Sequence, residues 1–316
     1  MKSRFLEILF GDAAIREYAT ITINDEIKER VYLKMGATII DISQNHWLLC
    51  LDPIVFGIWV ENGKDVLQID RKSGYEMYFT DSAANGNGNI NAKAVADLTL
   101  DFFDRIDEKD GSLTLLKLRK CRIHHLNFIK TRLIFLKFYK KPQLSFAKLK
   151  SFVSAYSYPR RVRVISFKQG DYYNIFPMDL LGDIRQSNRY VFGLRHTNTT
   201  LSKIIETKKI VVSEVPFEYK DVIYQLGSHH GASPPPMELL PFKVITSKNF
   251  GFYVPEWADG YKEIRILKTI NLGSHMLLWG EVLDECTLKS STGHLFHIHY
   301  LLYLYQKRKG TVYRAV

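Results

Sequence analysis

Short runs of β-branched and aromatic residues, separated by Asp, Asn, Gly and Pro, recur along most of this 316-residue chain. Runs of this kind, bounded by turn-forming residues, are typical of β-strands. In the first half they read YATITI, VYLKMGATIID, HWLLCLD, IVFGIWV and DVLQID, and in the second VRVISF, NRYVFGLR and KIVVSEV. Because strands predominate and a helix interrupts them, we predict a mainly β (α+β) fold. Its second half would be a small closed barrel with an inserted helix, not a doubly wound parallel sheet.

Three segments predict helices. Residues 92–106 have apolar side chains at helical intervals, namely Val95, Leu98, Phe102, Phe103 and Ile106. A second helix is expected within 144–161 and must end before Pro159, because proline cannot continue a helix. A third is expected in 199–208, after a short polar loop.

The length of the chain suits two domains. We predict a β-rich first domain over 1–143, with one or two helices, and a second domain over 144–316. The segments IVFGIWVEN (54–62) and YVFGLRHTN (190–198) are weakly alike. Chance explains this echo as well as a degenerate second barrel in the first half does.

The positive charge is concentrated in the middle of the chain. The formal net charge is +11, and residues 111–170 contain fifteen Lys or Arg and no acidic residue. Such a segment attracts anions, whether nucleic acid, a membrane surface or a phosphorylated cofactor. The segment matches no nucleic-acid-binding motif, so we expect no nucleic-acid partner, although an anion-binding interaction protein stays an alternative.

The chain carries three isolated cysteines, which argue against a disulfide framework and against a cysteine-rich zinc site. No apolar run is long enough to span a membrane, and the first residues lack the features of a signal peptide. We therefore expect a cytoplasmic protein that does not bind membranes.

A candidate phosphate-binding loop follows the run NRYVFGLR. The guanidinium of Arg195 can donate two hydrogen bonds to a phosphate, and hydroxyl groups follow at Thr197, Thr199 and Thr200. The backbone N–H groups at the start of the next helix also favour an anion. The alternative is that Thr199 or Thr200 only caps that helix.

A candidate ring-binding strand precedes this loop. If the segment GDYYNIFPMD (170–179) is extended, Asn174, Phe176 and Met178 share one face. An amide beside apolar side chains suits a flat ring with hydrogen-bonding edges, and a plain core strand is equally compatible.

Five segments in order resemble the flavin reductase-like, FMN-binding split-barrel family, over about residues 158–313. They are VRVISF, GDYYNIFPMD, ETKKIVVSEV, LGSHMLLWGEV and LLYLYQKRK. The family pattern for the fourth is Gly, a small polar residue and His before a strand ending in Gly-Glu-Val. The bulky residues of NIFPMDLLGD depart from the small residues usual in the family.

The resemblance implies a barrel that binds FMN at a homodimer interface and transfers hydride from NADH or NADPH to the flavin. It implies that Asn174, Phe176, Pro177, Met178 and Asp179 line the flavin ring. It implies that Arg195, His196, Thr197, Thr199, Thr200 and Lys203 hold the phosphate. It also implies a catalytic role for His275 near the flavin or the nicotinamide, whereas a lone histidine in such a strand is often structural.

Two further sets of histidines have to be considered. His229 and His230 lie in a glycine-rich loop that is expected to close over the flavin. His294, His297 and His299 lie close together without cysteine or clustered carboxylates, so we expect no metal. The function indicated is an NAD(P)H:FMN oxidoreductase with an unknown electron acceptor, and the alternative is an FMN-binding electron carrier or flavin sensor.

Overall fold

The computed structural model describes residues 18–24, 26–62, 74–81, 94–126, 129, 132, 145–227, 234–290, 293–311 and 313–315. Most of these residues form antiparallel strands, which confirms the mainly β fold. The strands are β1 (Tyr18–Ile23), β2 (Arg30–Met35), β3 (Thr38–Asp41), β4 (His46–Leu51), β5 (Ile54–Glu61), β6 (Tyr75–Thr80), β7 (Ala94–Glu108), β8 (Gly111–Ile123), β9 (Arg160–Arg161), β10 (Arg163–Gln169), β11 (Tyr172–Met178), β12 (Leu181–Ile184), β13 (Arg189–Arg195), β14 (Lys209–Glu214), β15 (Val244–Thr246), β16 (Tyr253–Pro255), β17 (Gly260–Asn271), β18 (His275–Thr287), β19 (His294–His299) and β20 (Arg314–Ala315). The α-helices are α1 (Phe146–Ala155), α2 (Leu201–Thr207), α3 (Lys220–Gly227) and α4 (Tyr300–Arg308).

Two seven-stranded sheets with the same strand order make up most of the fold. The first sheet has the order β3-β2-β6-β7-β8-β5-β4, and the second has β11-β10-β14-β17-β18-β13-β12. Numbered within its own sheet, each reads second, first, fifth, sixth, seventh, fourth, third. All pairings are antiparallel. The first half of the chain therefore repeats the strand arrangement of the second.

The weak sequence echo falls on corresponding strands of the two sheets. IVFG lies in β5 and YVFG lies in β13, and each is the fourth strand of its sheet. Gly57 and Gly193 occupy the same place in the two runs. The interpretation of the first half as a degenerate second barrel thus agrees with the topology, and chance is the weaker explanation.

The second sheet curls around its own core. Buried apolar side chains from all seven strands share one cluster, including Phe176 from one edge strand and Leu181 from the other. Two edge strands can share a core only if the sheet bends back on itself, as in a barrel that is split between β11 and β12.

A small third sheet joins the two ends of the described chain. Its order is β20-β1-β19-β9, and Tyr18 of β1 pairs with His299 of β19. The first described strand therefore lies beside strands from the second half of the sequence. The boundary between residues 143 and 144 stays a prediction.

The helix predictions had mixed outcomes. Helix α1 begins after Ser145, whose side chain accepts a hydrogen bond from the Lys148 N–H, and it ends well before Pro159, as predicted. Helix α2 is also where it was expected. None of the described helices combines the length and the apolar character needed to cross a membrane.

The helix predicted over 92–106 is wrong, because this segment forms most of β7. From Ala96 to Asp101 buried and partly exposed residues alternate, which is the period of a strand. Strand β7 pairs with β6 on one side and β8 on the other, and two pairing partners outweigh the helical spacing of its apolar residues.

Strand β19 of the second half runs directly into a helix. Strand β19 ends at His299, and helix α4 begins at the next residue. The His299 ring accepts a hydrogen bond from the Leu301 N–H and so caps this helix.

The two large sheets meet across a tightly packed seam. Leu49 of β4 packs in one apolar cluster with Val191 of β13 and Leu277 of β18. Gly193 leaves no room for a side chain, since a Cβ there would lie 1.8 Å from the Leu49 carbonyl oxygen. At the other end of the seam, Trp59 stacks on Trp279 with ring centroids 6.2 Å apart.

We predict that Gly193→Ala lowers the free energy of unfolding by about 2–3 kcal/mol, because the added methyl group forces β4 and β13 apart. Urea denaturation of the purified chain measures this change. The matched control is Gly74→Ala, where a Cβ would meet no atom within 4 Å. Equal stabilities for the two variants would contradict the seam as described.

Candidate functional site

Seven of the site residues predicted from the sequence line one cavity of about 360 Å³. They are Asn174, Phe176, Pro177, Met178, Asp179, Arg195 and His275. We call it the histidine cavity; the rest of its wall is Leu51, Tyr156, Leu180, Gly193, Leu194, Asn198, Leu226 and Gly227. Its volume is within the usual range for small-molecule sites.

Strand β11 supplies one wall of the histidine cavity. Asn174, Phe176 and Met178 are alternate residues of this strand and therefore share a face, as predicted. Pro177 is tolerated because β11 is an edge strand that pairs only with β10.

A buried hydrogen-bond network fixes the Asn174 amide. Its Nδ2 donates to the Thr200 hydroxyl over 2.7 Å, and the Tyr172 hydroxyl lies 2.9 Å from the same oxygen. The Thr200 N–H in turn donates to Asn198 Oδ1 over 2.8 Å. Because one N–H of the Asn174 amide is committed to Thr200, the amide can offer its carbonyl oxygen or its second N–H to a ligand.

The loop after β13 is divided between exposed and buried residues. Arg195, His196, Thr197 and Thr199 are exposed, whereas Thr200 is fully buried and makes no side-chain cap for α2. Thr200 thus supports Asn174 instead of capping the helix. Lys203 lies with its Nζ 4.7 Å from the centre of the Tyr172 ring.

His275 is the first residue of β18, as predicted from the motif, and only 1% of it is exposed. It pairs in register with Arg195 of β13. Its Nδ1 lies 2.8 Å from the Ser274 hydroxyl and 3.6 Å from Cys50 Sγ. These contacts hold the ring at the wall of the cavity.

The residues before His275 join the second sheet to the turn after β4. Gly273 has φ +116°, and a Cβ there would lie 2.5 Å from Pro53 Cδ, so the position requires glycine. The Ser274 N–H donates to the Asp52 carbonyl oxygen over 2.7 Å, and the Asp52 N–H donates to the Ser274 hydroxyl over 3.0 Å. The Gly-Ser-His sequence therefore anchors the histidine to the first half of the chain.

Asp179 ends the β11 wall, and His297 lies beside it. Its Oδ2 is 3.1 Å from His297 Nδ1. Burial opposes ionisation, but the hydrogen bond and the charge of the histidine hold the pKa of Asp179 below its usual range. Asp179 is thus an anchored acceptor and not a mobile surface carboxylate.

Eight residues of the wall were not predicted as site residues, and three of them show why. Leu51 comes from the first half of the chain and Tyr156 from the C-terminal end of α1, and neither lies in a recognisable motif. Asn198 lies within the predicted phosphate loop, where only hydroxyl and basic side chains had been considered.

His229 and His230 lie outside the described residues. Among the described residues, no group of three or more His, Cys, Asp or Glu is placed to hold a metal ion.

No protein-family model matches the chain, and no curated protein matches it. Among solved structures, an FMN-binding protein from Thermus thermophilus with bound 1-cyclohex-2-enone is 21% identical, with a TM-score of 0.36, over 40% of this chain and 70% of the other. The NADH:FAD oxidoreductase SgcE6 from Streptomyces globisporus C-1027 is 14% identical, with a TM-score of 0.43, over 47% of this chain and 88% of the other. Flavoredoxin from Methanosarcina acetivorans is 12% identical, with a TM-score of 0.36, over 42% and 70%. At these values the likeness carries no conclusion about activity.

We predict that Thr200→Val lowers the free energy of unfolding by about 1–3 kcal/mol, because it removes the acceptor for a buried amide while keeping the shape of the side chain. Thr199→Val is the matched control at the neighbouring exposed position and should change stability by less than about 0.5 kcal/mol. Chemical denaturation of both variants checks the network. A Thr200→Val variant as stable as the control would contradict it.

Proposed function

We propose that the histidine cavity binds FMN and that the chain is an NAD(P)H-dependent flavin oxidoreductase. The proposal rests on one observation, which is that residues distant in the sequence line the same cavity. Asn174, residues 176–179, Arg195 and His275 come from three motifs far apart in the sequence, and they line one cavity.

The wall chemistry fits the flavin ring. Phe176 and Met178 give it an apolar surface, and the fixed Asn174 amide offers a hydrogen-bonding edge beside them. A flat ring with polar edges needs both. Because Asn174 is held by Thr200, little side-chain entropy is lost when a ligand binds.

The polar loop after β13 suits the phosphate end of the cofactor. Arg195 lies at the cavity and is exposed, so its guanidinium can turn toward a phosphate without first breaking a buried contact. The neighbouring exposed hydroxyls of Thr197 and Thr199 add donors, with His196 and Lys203 nearby. Thr200 is buried and contributes indirectly, because its hydroxyl holds the Asn174 amide in place.

Bound FMN would supply the hydride acceptor, with NADH or NADPH as the donor. The residues of the chain hold and orient the ring and exclude water from one face. The buried His275 ring, fixed by Ser274, is placed to hydrogen-bond to a polar edge of a bound ligand.

The first sheet lacks this polar pair at the corresponding positions. Aligning IVFG with YVFG puts Trp59 where the second sheet has Arg195, and the β5–β8 register then puts Leu113 where it has His275. Trp59 and Leu113 are both buried. We therefore propose one flavin site per chain, with the first half supplying the wall at Leu51.

We predict that FMN binds more tightly than riboflavin, because only FMN engages Arg195 through its phosphate. Arg195→Ala should weaken FMN binding by about 1.5–3 kcal/mol, the scale of a hydrogen bond to a charged group, and leave riboflavin binding unchanged. Fluorescence titration measures both affinities, with Arg265→Ala as a control that removes an exposed arginine elsewhere. Equal affinity for the two flavins would remove the phosphate assignment.

The stoichiometry should be one FMN per chain, because Trp59 and Leu113 fill the corresponding place in the first sheet. Calorimetric titration gives this number directly, and two equivalent sites would contradict it. The homodimer expected from the resemblance stays a prediction, to be measured by light scattering on the flavin-loaded protein.

His275→Asn should slow flavin reduction by NAD(P)H about 100-fold, the scale of losing one positioned donor, while FMN affinity changes little. Stopped-flow absorbance follows the reduction, and a melting curve reports whether the variant is folded. His294→Asn serves as the control, since His294 does not line the histidine cavity. Normal reduction rates in a folded His275→Asn variant would leave the histidine with a structural role and favour an FMN carrier or sensor without NAD(P)H activity.

A further inference from the structure

A second cavity, of about 420 Å³, lies between the turns that follow β3 and β11. These turns join the second and third strands of the two sheets. Four arginines line it, namely Arg160, Arg161, Arg163 and Arg185, and we call it the arginine cavity.

Two of the four arginines share a single carboxylate. Glu214 lies 2.6 Å from Arg163 Nε and 2.8 Å from an Arg161 nitrogen. Burial alone would raise its pKa, but the two guanidinium groups hold the pKa of Glu214 at about 2. This carboxylate is therefore ionised at neutral pH and balances one of the two positive charges.

The carboxylates on the opposite wall already have cationic partners. Asp183 lies 2.6 Å from Lys262 Nζ and 3.8 Å from Arg185 Nε, and Asp179 is hydrogen-bonded to His297. Asp183 is thus shared between a lysine and an arginine, and Asp179 is shared with a histidine, so the carboxylates neutralise the four arginines only in part and the site keeps a positive balance.

Among the four arginines, Arg160 gives the strongest evidence for a bound anion. Only 9% of it is exposed, and no carboxylate of the described residues lies within 4.0 Å of its guanidinium. One nitrogen donates to the Ala155 carbonyl oxygen, the guanidinium carbon lies 4.2 Å from the centre of the Tyr156 ring, and Nε has no hydrogen-bond partner among the described residues. Asp179 on the same cavity wall attracts this guanidinium electrostatically, but it is already hydrogen-bonded to His297. A buried cation that forms no ion pair is costly, so its place at a cavity wall favours a ligand that supplies a close negative charge.

The rest of the wall is apolar and aromatic, with a few hydrogen-bonding groups. Trp47, Leu48, Tyr158 and Phe296 lie opposite and beside the arginines, and Ser43 and Gln44 add polar atoms. A guanidinium fork matches the oxygens of a phosphate or a carboxylate, and the volume suits a ring-sized body attached to such a group.

We infer that the arginine cavity is a second ligand site, which takes a small molecule with a phosphate or carboxylate group on an apolar ring. The oxyanion contacts Arg160 and Arg185, and the ring lies against the aromatic wall. This site is separate from the histidine cavity, although Asp179 lines both. It does not depend on the proposed flavin reaction.

Calorimetric titration of the full chain at constant ionic strength tests the inference, with phenyl phosphate, benzoate, inorganic phosphate and uncharged phenol as probes. Phenyl phosphate or benzoate should bind, and which of the two binds tighter identifies the oxyanion. Phenol should bind at least tenfold more weakly. Binding by neither ring-bearing anion, or equal binding by phenol, would overturn the inference, and tighter binding by inorganic phosphate alone would overturn the ring as part of the ligand.

Three variants locate the binding. Arg160→Gln should lower the affinity for the probe at least tenfold. Arg185→Gln should lower this affinity severalfold without destabilising the fold, because 80% of that side chain is exposed. Arg119→Gln removes an exposed arginine on β8 and should change nothing. Loss of probe binding in Arg195→Ala with normal binding in Arg160→Gln would place the probe in the histidine cavity and overturn the inference.

Stability separates a binding role for Arg160 from a structural one. Without ligand, Arg160→Gln should melt at or above the temperature of the unchanged chain, because it removes a buried charge that forms no ion pair with the described residues. A lower melting temperature together with unchanged probe affinity would show that the arginine serves the fold, and it would overturn the assignment.

Discussion

The close approach of β4 to β13 at Gly193 is the contact on which the rest of the fold depends. No side chain fits between Gly193 and the Leu49 carbonyl oxygen, so the backbones of the two sheets approach each other directly at this point. This contact brings the turn at Asp52 against Ser274, and Ser274 in turn holds the His275 ring. The position of the candidate catalytic group is thus set by packing between sheets and not by its own strand alone.

The two large sheets have the same strand order but carry different side chains at corresponding positions. At corresponding positions the second sheet has Arg195 and His275 beside a cavity, whereas the first has Trp59 and Leu113 in a packed core. Polar side chains at a cavity give a ligand hydrogen-bonding partners, whereas a buried apolar pair contributes stability to the fold. This contrast explains why one half is suited to binding and the other to support.

Much of the second half could be predicted from the sequence, because its signals are local. Strand β13, the polar loop and helix α2 follow one another within twenty residues, and the Gly-Ser-His sequence marks the start of β18. The failures came where distant partners decide the structure. Segment 92–106 has helical spacing but lies between β6 and β8, and the ring of Tyr156 reaches the cavity from a helix outside every motif. Leu51 could not be predicted at all, since only the packing of the two sheets brings it to the site.

The charged side chains near the seam are of two kinds. Some are paired within the chain and stabilise the fold, and others lack such a partner and are candidates for ligand binding. Glu108 accepts hydrogen bonds from Trp279 Nε1 over 3.0 Å and from Arg189 over 2.9 Å, so this carboxylate ties β7 to two strands of the second sheet. Such a pair is satisfied within the chain, and its directional bonds specify how the sheets register. Arg160 is buried, but it forms no ion pair with a carboxylate of the described residues. The two sites therefore differ in whether a close ionic partner belongs to the chain. The fold thus also buries an arginine to which the inferred ligand would supply a close negative charge.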